Sequence, residues 1–337
     1  MNKPRVGIIG LGFMGRTHLA SYRAAGANVV AALDPSGARS LNSGNLPPAD
    51  VDLGGIEIYR DSDEFFSKAT LDAVSVCTPT DSHVAVAKQA LSRGWHVLVE
   101  KPVALQASAI RDLAQAAQLA GRWCIPAMVM RFWPGWTCLR DCILDNRHGL
   151  LRSLSIERLG SLPQWNKEFF ADESRSGGAI ADLHIHDTDF VYWCFGRPDS
   201  VVTSGTPLQL TTIYRVGGER GPLVSASGGW GQHPSFGFRM RYLANFERAT
   251  IEFDLGKGVT ISNDDGSRPL DCGLLNAYES QVAQFLRVIG GDEAPRATLE
   301  QAALVAEILD LERQSMISRG CGRWPREAHS QDLPTRS

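Results

Sequence analysis

At 337 residues the chain is long enough for two domains with proper cores and too short for many. Apolar residues make up 43% of it and charged residues 21%, with a net charge of −3, so neither a nucleic acid nor an anionic membrane is expected as a partner. No apolar run is long enough to span a bilayer, and "RVGIIGLGFMG" near the start reads as a core strand and turn rather than a signal peptide, so a cytoplasmic protein is expected.

The first third alternates short β-branched runs with helical patterns. In chain order, "RVGIIG", "NVVAAL", "IEIYR", "DAVSVCTP", "WHVLVE" and "CIPAMVM" predict strands, and segments near 15–26, 61–69, 81–93 and 104–120 predict the helices between them. Wholly apolar strands separated by helices mean a parallel sheet covered on both faces, so residues 1–125 predict a doubly wound α/β domain. After "RFWPGW" the pattern changes. Helices near 134–146 and on 177–196 stand among strand-like segments, among them "LRSLSIERLG", "SVVTSGT", "LTTIYRV", "LVSASGGW", "FGFRMRYLANF", "ATIEFDL" and "GVTIS". Many alternate apolar and polar, which fits an α+β domain over 126–320 built on an antiparallel sheet with one wetter face. Helices near 275–290 and 298–318 close that domain, and 321–337, which lack periodicity, are expected to be a surface tail. The seven cysteines are scattered without a C-x-x-C, which favours free thiols, and Cys77, Cys124 and Cys194 sit in apolar context as small core residues.

Gly10-Leu11-Gly12-Phe13-Met14-Gly15 is a G-x-G-x-x-G that follows a strand and opens a helix. Gly10 permits the tight turn, Gly12 lets a pyrophosphate approach the backbone, and Gly15 brings helix and strand close, with the helix N-terminus facing the phosphates. Asp34 ends the next strand, 19 residues after Gly15, where a carboxylate can accept both hydroxyls of an adenosine ribose; the alternative makes it a turn residue before Pro35. A carboxylate there repels a 2′-phosphate by a few kcal/mol at roughly 4 Å. NAD is therefore favoured, with NADP still possible because Arg39 is near enough to offset the repulsion.

"VGIIGLGFMG", "VSVCTPTDSH", "GWHVLVEKPVA" and "GGAIADLHIHDTDFVYW" occur in an order that resembles the Gfo/Idh/MocA oxidoreductases, which include glucose–fructose oxidoreductase and inositol dehydrogenase. The resemblance runs from Arg5 to about residue 318. It implies a Rossmann domain followed by a domain on an open, mostly antiparallel sheet, assembly into homodimers or homotetramers, and NAD(P)-dependent chemistry on a hydroxyl or carbonyl of a sugar or cyclitol. It makes Lys101, in Glu100-Lys101-Pro102, the catalytic lysine, at the carboxyl end of a parallel strand where such sheets bind ligands. An ammonium there can hydrogen-bond the reacting oxygen and offset its developing charge, although without the family Lys101 reads equally well as a surface residue. Glu100, Thr78, Pro79 and His83 fall on the family's cofactor side; Thr80 stands where many members have Asn, and His83 reads equally well as a helix-start residue. Arg131 matches a recurrent arginine and is a candidate substrate contact. Trp133, Trp136 and Trp165 lie in segments that approach the pocket in relatives, with interdomain packing as the alternative for each.

The stretch 177–196 carries two histidines and three aspartates between Asp182 and Asp189. The resemblance puts the substrate-side aspartate on Asp182 and the catalytic histidine on His186, and leaves the role of Asp189 open. On one continuous helix, Asp182, His186, Asp189 and Trp193 share an arc of roughly 60°, whereas His184 lies about 160° from His186. Histidines so disposed cannot share one metal ion, although on a strand, where i and i+2 share a face, they could; with the stretch read as a helix no metal is expected. Asp187 falls in the middle of the apolar arc, and a buried carboxylate there needs a partner that the sequence does not point to. The expected reaction has His186 accept a hydroxyl proton with help from Lys101, while Asp182 orients His186 or a neighbouring hydroxyl. How Lys101 and His186 divide the proton transfer stays open. Two rival readings are a catalytically silent regulator that binds dinucleotide and sugar, and a metal hydrolase using His184, His186 and Asp187.

Overall fold

The computed structural model describes residues 3–37, 51–164, 166–273 and 276–324. Its first part alternates strand and helix: β1 (Arg5–Ile9), α1 (Phe13–Ala24), β2 (Asn28–Leu33), β3 (Glu57–Tyr59), α2 (Ser62–Lys68), β4 (Ala73–Val76), α3 (His83–Ser92), β5 (His96–Val99), α4 (Ala107–Ala120) and β6 (Cys124–Pro126). The six strands pair in parallel in the order β3-β2-β1-β4-β5-β6. This is the doubly wound order whose ligands bind beyond the strands' carboxyl ends, on either side of β1 and β4. Ile8, Val74, Val76, Val97 and Val99 have no exposed surface, as strands covered by helices on both faces require.

The second part contains α5 (Pro134–Leu144), β7 (Leu151–Leu159), α6 (Lys167–Ala171), α7 (Glu173–Ser176), α8 (Gly178–Asp182), α9 (Ile185–Phe195), β8 (Ser200–Thr206), β9 (Gln209–Arg215), β10 (Leu223–Gly229), β11 (Arg239–Phe246), β12 (Thr250–Asp254), β13 (Gly258–Asn263), β14 (Gly266–Pro269), α10 (Ala277–Gly290), α11 (Leu299–Ser318) and β15 (Cys321–Arg323). Nine strands form one sheet, ordered β14-β13-β12-β11-β7-β10-β9-β8-β15. It is antiparallel except where β10 runs parallel to β7. Alternation turns Leu154, Ile156, Tyr214, Val224, Met240 and Tyr242 inward against Trp136 of α5 and Phe190 of α9. The opposite face carries a cross-strand row of Val202, Ile213, Ser225, Ser155 and Leu243. The α/β class and the open antiparallel second sheet match the expectation.

Three elements differ from it. The single helix expected over 177–196 is two, because both Leu183 and His184 direct their N–H to Ala179 O, at 3.0 and 2.9 Å, and the wider turn at His184 restarts the helix as α9. Cys321–Arg323, expected in a surface tail, pair with β8 as the sheet's last strand, while 325–337 lie outside the described residues. The last two helices also return to the first sheet. Val282, Phe285 and Val288 of α10 join a core with Val6, Ile8, Leu19 and Tyr22, and α11 lies along α4. The capping box of Thr298 and Gln301 starts α11.

Candidate active site

The glycine turn between β1 and α1 has the shape a dinucleotide needs. Gly10 has φ +92°, and a Cβ there would meet Cys77 O at 2.6 Å. A Cβ on Gly15 would overlap the Gly10 carbonyl, which is the close helix–strand approach expected of it. At Gly12 nothing lies within 4 Å of the added atom, so that side is open to a pyrophosphate. Gly12 caps α1 with no side-chain bond, leaving the helix N-terminus to a ligand, and Phe13 and Met14 form its part-exposed first turn. Asp34 clasps this turn from the end of β2: Oδ2 accepts from Leu11 N at 2.7 Å, and Oδ1 accepts from Ser36 N at 2.9 Å and Ser36 Oγ at 2.6 Å. It is thus a turn residue and also stands beside the open pyrophosphate position. These residues fit a bound dinucleotide. Arg39, the expected offset for a 2′-phosphate, lies outside the described residues.

Lys101 leaves the end of β5 and reaches α8, donating from Nζ to Asp182 O at 2.7 Å and Asp182 Oδ1 at 2.9 Å. The pair is largely but not wholly shielded, with side chains 15% and 21% exposed. His186 stands in the first turn of α9, part-exposed, and its proton affinity is pushed well below the ordinary imidazole value by burial first and then by the charges of Lys101 and Arg158. It is therefore neutral near pH 7, with no side-chain hydrogen bond to another described residue. The three residues expected to do the chemistry are brought together from the two parts of the chain.

Other expected site residues have different tasks. Arg131 is fully buried, and its guanidinium is spent on Asp189 at 2.7 and 3.1 Å, Arg296 O at 2.7 Å and Gln301 Oε1 at 2.5 Å. That corrects its assignment as a substrate contact and gives Asp189 its role. His83, 1% exposed, has Nδ1 2.9 Å from Pro102 O and Nε2 2.7 Å from Thr78 O. It therefore ties the loop after β4 to the loop after β5 rather than presenting a nitrogen to the cofactor. Glu100 is likewise turned inward, to His18 at 2.9 Å. Thr78 and Pro79 stay at the surface of their loop, with Thr78 Oγ1 accepting from Ser82 Oγ at 2.8 Å. Trp136 is core, edge-on to Phe190 and Tyr242; Trp133 is edge-on to Tyr278; Trp165 lies outside the described residues.

Asp187 finds its partner in Arg158 of β7, which contacts both carboxylate oxygens at 2.7 to 3.1 Å in a site with almost no exposure. His184 is also buried, its Nε2 at 3.1 Å from both Tyr214 OH and Glu312 Oε2. Strand β10 leaves room for it, since a Cβ on Gly228 would stand 2.8 Å from His184 Nδ1. The hydrolase reading needs His184, His186 and Asp187 around one ion, and the structure commits two of them elsewhere. Among the described residues no group of three or more His, Cys, Asp or Glu is placed to hold a metal ion. Sequence reasoning passed over Arg158, His18 and Tyr278. The Tyr278 hydroxyl, pushed up to about 12 by burial and then by Glu100, lies within the influence of both Glu100 and Arg158.

Comparison with known proteins places both halves of the chain in one family. A model of the oxidoreductase family with an NAD-binding Rossmann fold matches residues 4–128, and one of the GFO/IDH/MocA C-terminal domain matches 136–216. Over 216 residues the chain is 32% identical to the rhizopine catabolism protein MocA of Rhizobium meliloti, covering 61% of this chain and 62% of that protein, or about three fifths of the relative's length. It is 24% identical to an inositol 2-dehydrogenase of Rhizobium meliloti across 89% of this chain and 93% of the relative. The fold is shared with a UDP-N-acetylglucosamine 3-dehydrogenase of Acidithiobacillus ferrooxidans, at TM-score 0.74 and 22% identity, covering 94% of this chain and 99% of that one. With a glycine turn shaped for NAD, a lysine bridged to Asp182, and matches in both halves, the chain belongs to the Gfo/Idh/MocA oxidoreductase family.

Proposed function

We propose that this protein is an NAD(P)-dependent dehydrogenase acting on a hydroxyl-bearing carbon of a cyclitol or sugar, with NAD preferred. The observation that carries the reading is the Lys101–Asp182 bridge beside a neutral His186, close to an open glycine turn. Relatives named for inositol and for a nucleotide sugar support the substrate class. With a dinucleotide held by its pyrophosphate at the turn, the nicotinamide would supply the hydride acceptor or donor. Lys101 directs its ammonium at the reacting oxygen, offsetting charge that develops there. His186, uncharged and without a competing hydrogen bond among the described residues, takes the hydroxyl proton. Asp182 holds the lysine in place and has a second oxygen to offer a neighbouring hydroxyl.

The test is nicotinamide absorbance with NAD and NADP separately, against cyclitols, aldoses and keto-sugars. Turnover with NAD on at least one of them is expected, because Asp34 disfavours a 2′-phosphate. Tight dinucleotide binding without turnover on the whole panel would favour a silent dinucleotide-binding regulator. Failure to bind either dinucleotide would sink both.

The same proposal includes self-association. On the outer face of the second sheet Val202, Ile213 and Leu243 are 37%, 42% and 42% exposed and lie in one cross-strand row. Light scattering should give a dimer or tetramer, and Leu243→Glu should lower that mass. A monomeric wild type would end this part of the proposal.

A further inference from the structure

One buried ion pair lies beside the proposed chemistry without taking part in it. His18, on α1, has no exposed surface. Its Nε2 is 2.9 Å from Glu100 Oε1, and its Nδ1 is 3.0 Å from Ser75 Oγ, which is 3.0 Å from Tyr22 OH. Glu100, 6% exposed, uses its other oxygen, Oε2, to accept the Lys101 peptide N–H at 3.1 Å. A continuous chain of contacts therefore runs from the helix that meets the phosphates, past β4, to the peptide that carries the Lys101 amine.

We propose that His18 is a positioning residue for Lys101, acting through Glu100. The inference rests on Lys101 being the catalytic amine. A buried carboxylate needs a cation, and the groups that bear on Glu100 from the elements packed around it are His18, Lys101 and His83. With His18 bonded to Oε1, the charge of Glu100 is met from below, and the Lys101 ammonium is free to reach across to Asp182. Without His18, Lys101 is the remaining cation at hand. Its amine then turns back toward Glu100 and leaves the place where the substrate oxygen must sit. The titratable neighbours of His18 are Tyr22 on its own helix, Cys77 beyond β4 and Glu100 beyond β5. Burial works against the charge of the imidazole, while the Glu100 carboxylate at 2.9 Å from Nε2 raises its proton affinity and favours the protonated ring.

The experiment uses the full chain carrying His18→Gln, which keeps a donor but no charge, and the double variant His18→Gln/Glu100→Gln. Lysines are labelled by reductive 13C-methylation, and the Lys101 signal is assigned against Lys101→Arg. In His18→Gln the pH titration of the Lys101 methyl signal should shift from wild type, and kcat should fall about 10- to 100-fold with NAD affinity by calorimetry retained. In the double variant the competing charge is gone, so kcat should recover by at least about tenfold, a rescue that lost packing would not give. Ser75→Ala breaks the same chain more mildly and serves if His18→Gln does not fold; its Lys101 signal should move the same way. An unchanged Lys101 titration in a folded variant, or no rescue in the double variant, overturns the proposal. The Lys101 signal needs no substrate, so a wild type that turns over nothing defeats the dehydrogenase reading while leaving this test decisive.

Discussion

In Lys101→Met, turnover of the best substrate should fall by roughly 10²- to 10³-fold while the dinucleotide still binds. Methionine keeps the length of the side chain and removes the cation, so the loss falls on the step in which the substrate oxygen gains or sheds charge. A second signature separates this from a general disturbance. Burial, Lys101 and Arg158 together hold His186 well below the usual imidazole range, so the wild-type acid limb of kcat/KM should lie below pH 6.5. Deleting one of the two cations favours the protonated ring. The residual activity of Lys101→Met should therefore be lost at a higher pH than in the wild type. Stopped-flow absorbance from pH 5 to 9 reads both effects, and an acid limb that stays put would mean that His186 is not the base.

Arg158→Ala should cost about 3–5 kcal/mol of unfolding free energy in urea titrations, because it leaves Asp187 charged and alone where neither side chain has meaningful access to water. Asp187→Ala strands the arginine and should cost a similar amount. The double replacement Arg158→Met/Asp187→Leu should regain more than half of either loss, since apolar groups of similar volume dispense with the desolvation of both charges. A single variant that loses less than about 1 kcal/mol would show that water or another group satisfies the survivor.

The partner of Asp187 was within reach of the sequence. In "LRSLSIERLG" the inward parity of a strand falls on Leu154, Ile156 and Arg158, so an arginine stands where alternation calls for an apolar side chain. An inward cation on a strand and an inward carboxylate on a helix are complementary exceptions. Neither exception alone names the other. The break between α8 and α9 left no comparable mark. Its cause is a backbone turn at Ala179–His184, while the apolar spacing of Ile180 and Leu183 runs on in phase through Phe190, Val191 and Cys194. The glycine turn and Asp34 were legible because each works through local geometry at the end of a strand, whereas Lys101 was singled out only by the family resemblance. His18 and Glu100 were not read as a pair because their contact spans 82 residues, and nothing local in either segment requires the other. Arg131 misled for a related reason, since a recurrent arginine beside a pocket and a buried arginine holding Asp189 look the same in one dimension.

The return of α10 to the first sheet has a consequence during synthesis. All six parallel strands have been made once Pro126 is in place, yet Val282, Phe285 and Val288, which help cover Val6, Ile8 and Leu19, come some 150 residues later. At about 5–20 residues per second a ribosome leaves that apolar patch bare for roughly ten to thirty seconds. A nascent chain in that interval presents a nearly finished nucleotide fold with one sticky flank, which is the surface a chaperone would be drawn to.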